Sequence, residues 1–285
     1  MRHGLTILPE LSWRETAPRW SAAEQMGFDH AWTYDHLVWG GIPDQACYSA
    51  YPTLAAAATV TERIGLGSFV SSPNFRHPAL LARDIATVDD ISGGRFLAGL
   101  GAGGDLDVRN VGEERTLRER VDRFHEYVPL LHRLLTEDHV EHSGEFYATT
   151  DLRTRPGGVR EPRPPFVIAA NGPRSLRLAV AHGDGWVTTG PSVETMDEWW
   201  AGVGGLVDRL AETLTKVGRP ADDLDRYLLL DSAPRYSLES AELFTDMVGR
   251  AEGLGFTDVI TTWPRPESPY AGSEATLEAV AAGLR

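Results

Sequence analysis

Eight short apolar segments alternate with longer amphipathic segments from one end of this chain to the other. The apolar segments are rich in Val, Ile and Leu and show little strict alternation, which is typical of strands buried on both faces of a parallel sheet. We predict strands at residues 4–8, 30–34, 64–70, 95–100, 165–170, 185–189, 227–231 and 258–262.

A helix is predicted after each of these strands. The third begins with Pro78 and ends at Gly93-Gly94, residues that favour the first turn and the end of a helix. Eight strands, each followed by a helix, are the pattern of a (β/α)8 TIM barrel, an α/β fold. The predicted helices are residues 16–26, 52–61, 78–91, 116–135, 173–182, 193–217, 238–254 and 273–284.

An open, doubly wound sheet is the alternative with the same alternation. Such a sheet usually has a GxGxxG turn after its first strand, whereas this chain has Leu8-Pro-Glu-Leu-Ser12 there. We therefore expect residues 1–285 to form a single barrel domain. Two short insertions are expected, one after the second strand at residues 37–48 and one before the fifth strand at residues 138–164, where a small hairpin is predicted.

The composition narrows the class of protein. The chain has 27 Lys and Arg against 41 Asp and Glu, a formal net charge of −14, which argues against a nucleic-acid partner. No stretch approaches the roughly 18–20 apolar residues of a membrane span. Cys47 is the single cysteine, and His125 and His132 lack convergent acidic partners, so we predict neither a disulfide nor a metal site. The N-terminal apolar run is too short for a signal peptide, and we expect a cytoplasmic protein.

Small residues follow the third and fourth predicted strands. Ser71 and Ser72 follow the third, and Gly101-Ala-Gly-Gly104 follows the fourth. The C-terminal ends of barrel strands converge on one face, where active sites lie. Two neighbouring strand ends without bulky side chains leave room for a flat group against the backbone, so a cofactor pocket is expected there.

Asp35 and His36 end the second predicted strand. At neutral pH His36 is a candidate general acid or base, and Asp35 would orient it or hydrogen-bond the edge of a bound ring. Adjacent strand residues point to opposite faces, so both reach the pocket only if the strand has already turned into the loop. A polar pair that closes a turn is the alternative interpretation.

The end of the fifth strand reads Asn171-Gly-Pro-Arg-Ser175 and leads into a predicted helix. Asn171 or Gly172 would cap this helix, and Pro173 suits its first position. Arg174 and Ser175 add donors at a place where the free amides of a helix N-terminus favour an anion. An ordinary helix cap with a surface arginine fits the same spacing.

Taken in order, these segments resemble the bacterial luciferase-like superfamily, the flavin- or deazaflavin-dependent (β/α)8 oxidoreductases. The strongest match is His77-Pro-Ala-Leu-Leu-Ala-Arg-Asp-Ile-Ala-Thr-Val-Asp-Asp-Ile-Ser-Gly-Gly-Arg-Phe96, and residues 62–103 form the most specific block. Further matches, which together cover nearly the whole chain, are residues 23–32 leading to Asp35-His36, 57–67, 171–179, 183–186 and 251–259.

The resemblance implies which segments contact the cofactor. Its ring should lie against the ends of the third and fourth strands, where many members have a non-proline cis peptide. The matching residues here are Val70, Ser71 and Ser72. Ala102 and Gly103 match positions whose backbone passes the cofactor. The residues that match the phosphate end are Gly172, Pro173, Arg174 and Ser175, next to Asn171.

The pair Asp35-His36 resembles the members that use coenzyme F420, whereas many FMN-dependent members have Glu-His in that region. In F420 enzymes the His is a candidate catalytic acid or base and the Asp contacts the deazaflavin. The favoured function is therefore an F420-dependent oxidoreductase that moves a hydride between F420 and a small organic substrate. His36 would handle the proton, and Asp35 would help to place the ring.

One departure from the family pattern bears on the substrate. F420-dependent sugar-phosphate dehydrogenases have a glutamate acid immediately after the glycine run of the fourth strand, where this chain has Gly104. Asp105 and Asp107 follow shortly after and are candidates to replace it. A sugar phosphate is therefore not favoured, and the sequence names no substrate.

Two alternatives to this function are open. The first is an FMN-dependent monooxygenase that uses reduced flavin and O2; with either cofactor, a separate flavin or F420 reductase would supply the reduced form. A barrel that has lost catalysis would only bind a cofactor or a partner, but the intact Asp35, His36 and residues 172–175 argue against it. Family members are often dimers, so a homodimer is expected.

Overall fold

Eight parallel strands close into a barrel in the computed structural model of the chain, which describes residues 1–154 and 158–284. Each barrel strand pairs with its neighbours in chain order, and the first strand closes the barrel against the last. In chain order the barrel strands are β1 (Arg2–Thr6), β2 (His30–Thr33), β3 (Gly65–Ser68), β4 (Phe96–Leu100), β7 (Phe166–Ala169), β8 (Gly185–Thr188), β9 (Asp225–Leu229) and β10 (Asp258–Thr262).

Helices surround the barrel, and the predicted (β/α)8 fold is confirmed. Strand β10 and the helix Pro173–His182 match the predicted bounds residue for residue, and the other elements differ at their ends, where the apolar pattern fades. The short helix Asp105–Asn110, which follows β4, is an addition to the predicted elements. The helices are α1 (Trp13–Met26), α2 (Ala50–Ala58), α3 (Pro78–Ser92), α4 (Asp105–Asn110), α5 (Leu117–Thr136), α6 (Pro173–His182), α7 (Met196–Val217), α8 (Ala241–Gly253) and α9 (Glu274–Ala282).

The two predicted insertions are also present. Residues 37–48 form an irregular loop between β2 and α2. Strands β5 (Val140–Ser143) and β6 (Ala148–Leu152) pair as an antiparallel hairpin outside the barrel. Residues 155–157 of the predicted second insertion lie outside the described residues. Within the described ranges, no helix has the length and apolar character that crossing a membrane requires.

Apolar side chains pack on both sides of the barrel wall. Outside, helix residues one turn apart face the strands, such as Leu81 and Ile85 of α3. Inside, Trp32 makes edge contacts with the rings of Phe69 and Tyr227, with ring centroids 5.7 and 6.0 Å apart. The interior is thus filled by side chains, and its upper layer forms the floor of the face where the strands end.

A buried ion pair network closes the opposite, N-terminal end of the barrel. The carboxylate of Asp258 accepts hydrogen bonds from Arg2 (Nε 2.8 Å, Nη2 2.7 Å) and from Nε2 of His30 (2.9 Å). Nε1 of Trp32 donates to Nδ1 of His30 at 2.6 Å, so the proton of a neutral His30 lies on Nε2. Burial raises the pKa of Asp258, but the hydrogen bonds from His30 and Arg2 outweigh it and hold the pKa below its usual value.

Replacing Asp258 by Asn should lower the free energy of unfolding by about 3 kcal/mol, because Arg2 and His30 lose a charged acceptor inside the protein. A carboxyl with a lowered pKa stabilises the fold above its usual pKa, so the loss is fully present at pH 7 and shrinks as the pH falls through the folded-state pKa. Denaturant unfolding of the wild type and the variant, at pH 7 and at a pH below the folded-state pKa of Asp258, measures this loss.

Asp246→Asn is the matched control, since Asp246 pairs with Arg250 at 3.1 Å on the exposed face of α8. This change should cost less than about 1 kcal/mol. Equal losses for the two variants at pH 7 would contradict the structural role of Asp258.

Candidate functional site

A cavity of about 630 Å³ lies at the C-terminal ends of the barrel strands. Its walls come from the ends of β2, β3, β4, β7, β8 and β9 and from the loop after β10. This is the face on which TIM-barrel enzymes place their active sites. The residues predicted from the sequence that line it are His36, Val70, Ala102, Gly103, Asn171, Gly172 and Ser175.

One wall of the cavity is the backbone of β3 and β4. A Cβ atom at Gly99 would lie 1.9 Å from the carbonyl oxygen of Ser68, so only glycine allows the two strands to approach this closely. At Gly103 the backbone has φ +74°, and a Cβ would lie 2.3 Å from Nδ2 of Asn74. Both positions therefore require glycine in this part of the wall.

The predicted non-proline cis peptide is present at the start of the expected segment, between Phe69 and Val70. The side chain of Val70 lines the cavity. Ser71 and Ser72 are buried behind the wall and do not line it. Of these three residues Val70 lines the cavity, whereas the two serines lie behind the wall. Contact of the three with a cofactor stays a prediction.

Asp35 lies behind the same wall, with 2% of its surface exposed. Its carboxylate accepts two hydrogen bonds from Arg76, both at 2.6 Å, and one from Oγ of Ser71 at 2.6 Å. The carboxylate is engaged by these partners and does not line the cavity, so the contact of Asp35 with a bound ring stays a prediction. Asp35 ties the end of β2 to the segment after β3.

Arg76 completes this buried network. Its guanidinium lies 4.7 Å from the ring centroid of Tyr51, and the hydroxyl groups of Tyr51 and Ser71 are 3.0 Å apart. Burial raises the pKa of Tyr51 above its usual value, so the phenol is neutral. Sequence reasoning missed Arg76 because it lies 41 residues from Asp35 in the loop before α3.

His36 points in the opposite direction and lines the cavity, with 29% of its side chain exposed. Its Nδ1 lies 2.7 Å from Oδ2 of Asp107, and the backbone N–H of Leu37 donates to Oδ1 of the same carboxylate at 2.9 Å. Asp107 is 1% exposed. An ionised carboxylate only accepts hydrogen bonds, so Nδ1 carries a proton and Nε2 is the nitrogen available to the cavity.

The two candidate acids after Gly104 are separated by this arrangement. Asp105 is exposed and pairs with Arg109 at 3.2 Å, whereas Asp107 is buried beside His36. Neither side chain lines the cavity. Asp107 therefore does not stand in for the missing glutamate as an acid that touches substrate, and it acts on His36 instead.

The N-terminus of α6 forms another part of the rim. Gly172 is its N-cap and makes no side-chain capping bond, which leaves first-turn amides for an anion. A Cβ at Gly172 would meet nothing within 4 Å. Asn171 is tied to β8, because its Oδ1 accepts from Thr188 at 2.7 Å and its Nδ2 donates to the carbonyl of Gly190 at 3.1 Å.

An outer groove of about 790 Å³ adjoins the cavity and shares Leu117, Val121, Gly172 and Ser175 with it. Pro173 and Arg174 line this groove and not the cavity. Nη2 of Arg174 lies 2.6 Å from Oδ1 of Asp122. The five predicted residues from Asn171 to Ser175 are thus divided between the cavity rim and the groove.

Four aromatic side chains, Tyr34, Trp39, Phe69 and Tyr270, line the side of the cavity next to His36. We call this set the aromatic wall. Trp39 stacks on Tyr270 with ring centroids 5.8 Å apart and an angle of 10° between the planes, and Tyr34 contacts Trp39 at 5.1 Å. Trp39 lies in the loop directly after Asp35-His36, whereas Tyr270 lies in the irregular loop after β10, where no sequence pattern marks it.

Comparison with known proteins identifies the family of this chain. The family model described as luciferase-like monooxygenase matches residues 1–243. The chain belongs to this family. Residues 1–154 and 158–284 contain no group of three or more His, Cys, Asp or Glu side chains that could hold a metal ion.

Two relatives are named as F420-dependent enzymes. The chain is 35% identical over 224 residues to an F420-dependent glucose-6-phosphate dehydrogenase from Intrasporangium calvum, covering 75% of this chain and 64% of the relative. It is 34% identical over 171 residues to an F420-dependent hydroxymycolic acid dehydrogenase from Mycobacterium tuberculosis, covering 58% of this chain and 46% of the relative. The chain thus spans less than two thirds of the length of either relative.

A solved structure shows the same fold at low sequence identity. The coenzyme F420-dependent tetrahydromethanopterin reductase from Methanopyrus kandleri superposes with a TM-score of 0.78 at 20% identity, covering 98% of this chain and 97% of the reductase. The likeness shows that the two proteins share the barrel fold.

The protonation of His36 gives a direct test of the site. In the wild type, nitrogen NMR of the neutral His36 imidazole should show the proton on Nδ1. In Asp107→Asn, the N–H of Leu37 still needs an acceptor, so the amide oxygen faces Leu37 and the amide NH2 faces Nδ1. The proton should then move to Nε2.

Asp105→Asn is the control for this measurement, because Asp105 lies on the same short helix without touching His36. It should leave the His36 spectrum unchanged. An unaltered tautomer in Asp107→Asn would show that Asp107 does not fix the imidazole.

Proposed function

We propose that this luciferase-like protein is an F420-dependent oxidoreductase that transfers a hydride between F420 and a small organic substrate. The observation that carries the proposal is the His36–Asp107 pair beside the β3–β4 wall, from which Val70, Ala102 and Gly103 line the cavity. This places one oriented acid–base nitrogen at the edge of a cavity suited to a flat ring. The F420 dependence named for both relatives supports the choice of cofactor.

The residues present fit this cofactor. Val70, Ala102 and Gly103 offer small surfaces to a flat ring, and the uncapped first turn of α6 with Ser175 offers N–H and O–H donors to a phosphodiester. When bound, F420 supplies hydride chemistry at carbon and does not usefully activate O2.

His36 would manage the proton of the reaction. Nε2 would accept the hydroxyl proton of an alcohol during its oxidation, and the same nitrogen would return the proton in the reverse direction. Asp107 holds Nδ1–H and stabilises the imidazolium that results. Asp35 takes no proton in this proposal, since Arg76 and Ser71 engage its carboxylate, and it positions the end of β2.

Several further expectations stay predictions. These are a single domain over residues 1–285, a homodimer, a separate F420 reductase and a cytoplasmic location. Light scattering on the purified protein tests the homodimer.

Titration of the purified protein with F420, followed by quenching of protein fluorescence, should show saturable binding, and FMN should bind much more weakly. His36→Asn keeps a donor near the position of Nδ1 for Asp107 but removes Nε2. It should leave the F420 dissociation constant within about threefold and lower kcat by about 10²–10⁴-fold.

His139→Asn provides the control, because His139 lies on the exposed hairpin, paired with Asp151. It should change neither quantity. Tight binding of FMN together with failure to bind F420 would reject the proposal in favour of the FMN monooxygenase, and full turnover by His36→Asn would remove His36 from the mechanism.

Adding a side chain at Gly172 tests the phosphate end. Because a Cβ there points into open space at the cavity rim, Gly172→Val should fold normally and weaken F420 binding by about tenfold or more. Gly104→Val is the matched control: Gly104 is also an uncapped helix N-cap with open space at its Cβ, but it does not line the cavity. Equal F420 affinities for both variants would argue against the assignment of Gly172.

A further inference from the structure

The charges around the cavity divide sharply between its inside and its outer groove. None of the described residues that line the cavity is Arg, Lys, Asp or Glu. Two arginines, Arg118 and Arg174, line the outer groove. Both approach the carboxylate of Asp122, at 3.9 and 2.6 Å, so they belong to a surface ion pair cluster at the phosphate end of the site.

The titratable groups inside the cavity are His36, Tyr34 and Tyr270. Burial raises the pKa of Tyr34 well above its usual value and that of Tyr270 to about 12, and the two hydroxyl groups lie 3.1 Å apart. Both phenols are therefore neutral at pH 7. The inner cavity offers one group for proton exchange and no fixed positive charge among the described residues.

The surface next to His36 is apolar. Tyr34 meets His36 edge to face, with ring centroids 6.2 Å apart and an angle of 89° between the planes. The Trp39–Tyr270 stack extends the aromatic wall from there, and Val187 and Leu229 add aliphatic contacts. A molecule whose reacting carbon lies near Nε2 of His36 thus places its remaining atoms against rings and methyl groups.

We propose that the substrate is an uncharged alcohol, or the corresponding ketone, whose apolar ring or chain packs on the aromatic wall. The proposal rests on the proposed function and adds its substrate class. A sugar phosphate would have to bury its phosphate dianion in the inner cavity without a cation beside it. The dianion would lose its hydration to apolar contacts, and this loss is strongly unfavourable. An apolar body gains free energy from the same surface.

The redox step balances with the groups already named. The C–H and O–H bonds of the carbinol break, and its C=O bond forms. The proton goes to Nε2 of His36, and the hydride goes to oxidised F420. The alcohol is oxidised by two electrons and the cofactor is reduced by two.

Steady-state assays with F420-saturated enzyme test the substrate class, using 1-phenylethanol and cyclohexanol as uncharged probes and glucose 6-phosphate as the charged one. We expect kcat/KM for the better uncharged probe to exceed that for glucose 6-phosphate by at least about 100-fold. Calorimetric titration of the same holoenzyme should detect binding of the uncharged probes and none of glucose 6-phosphate.

The outcomes separate this inference from the proposed function. Failure of the protein to bind F420 rejects the proposed function. Normal F420 binding with a preference for glucose 6-phosphate, or with no binding of either uncharged probe, overturns the substrate class alone.

A pair of tryptophan variants locates the contact. Trp39→Ala should raise KM for 1-phenylethanol by about tenfold and leave the F420 dissociation constant unchanged. Trp13→Ala is the control, since Trp13 is an exposed residue at the start of α1 that does not line the cavity. It should alter neither value, and an unchanged KM in Trp39→Ala contradicts the role of the aromatic wall.

Discussion

The site depends on the close approach of β3 and β4 at their C-terminal ends. With the carbonyl of Ser68 only 1.9 Å from where a Cβ of Gly99 would lie, the two strands can meet only without a side chain between them. The result is a wall of backbone from which Val70 faces the cavity while Ser71 faces the protein interior. A flat ligand can lie against such a wall, and few side-chain arrangements provide the same surface.

The same wall separates two residues that are adjacent in the chain. Asp35 lies behind it, bound to Arg76 and Ser71, and fixes where β2 ends. His36 lies in front of it, oriented by Asp107. Each side chain therefore has its own buried charged or polar partners, one set behind the wall and one in front of it. This division follows from the alternation of side chains along an extended backbone.

The sequence predicts the barrel well because its signal is local. Eight apolar runs and their helices are readable within windows of a few residues, and even β10 and α6 have the predicted bounds. The exposed direction of His36 and the small residues around Gly103 also follow from position at a strand end. The pairing of His36 with Asp107 does not, because 71 residues separate them and Asp107 lies on a six-residue helix without an apolar repeat. Tyr270 reaches the aromatic wall through an irregular loop, which carries no periodic signal.

We expect F420 to bind in this cavity with its ring on the β3–β4 wall and its phosphodiester at α6. A crystal structure of the protein with F420 tests it most directly. The ring should contact Val70 and Gly103, the phosphodiester should lie within hydrogen-bond distance of the first-turn amides of α6, and Nε2 of His36 should be directed at the reacting face. A ring bound away from Val70, or a His36 that bonds Asp107 through Nε2, would contradict it.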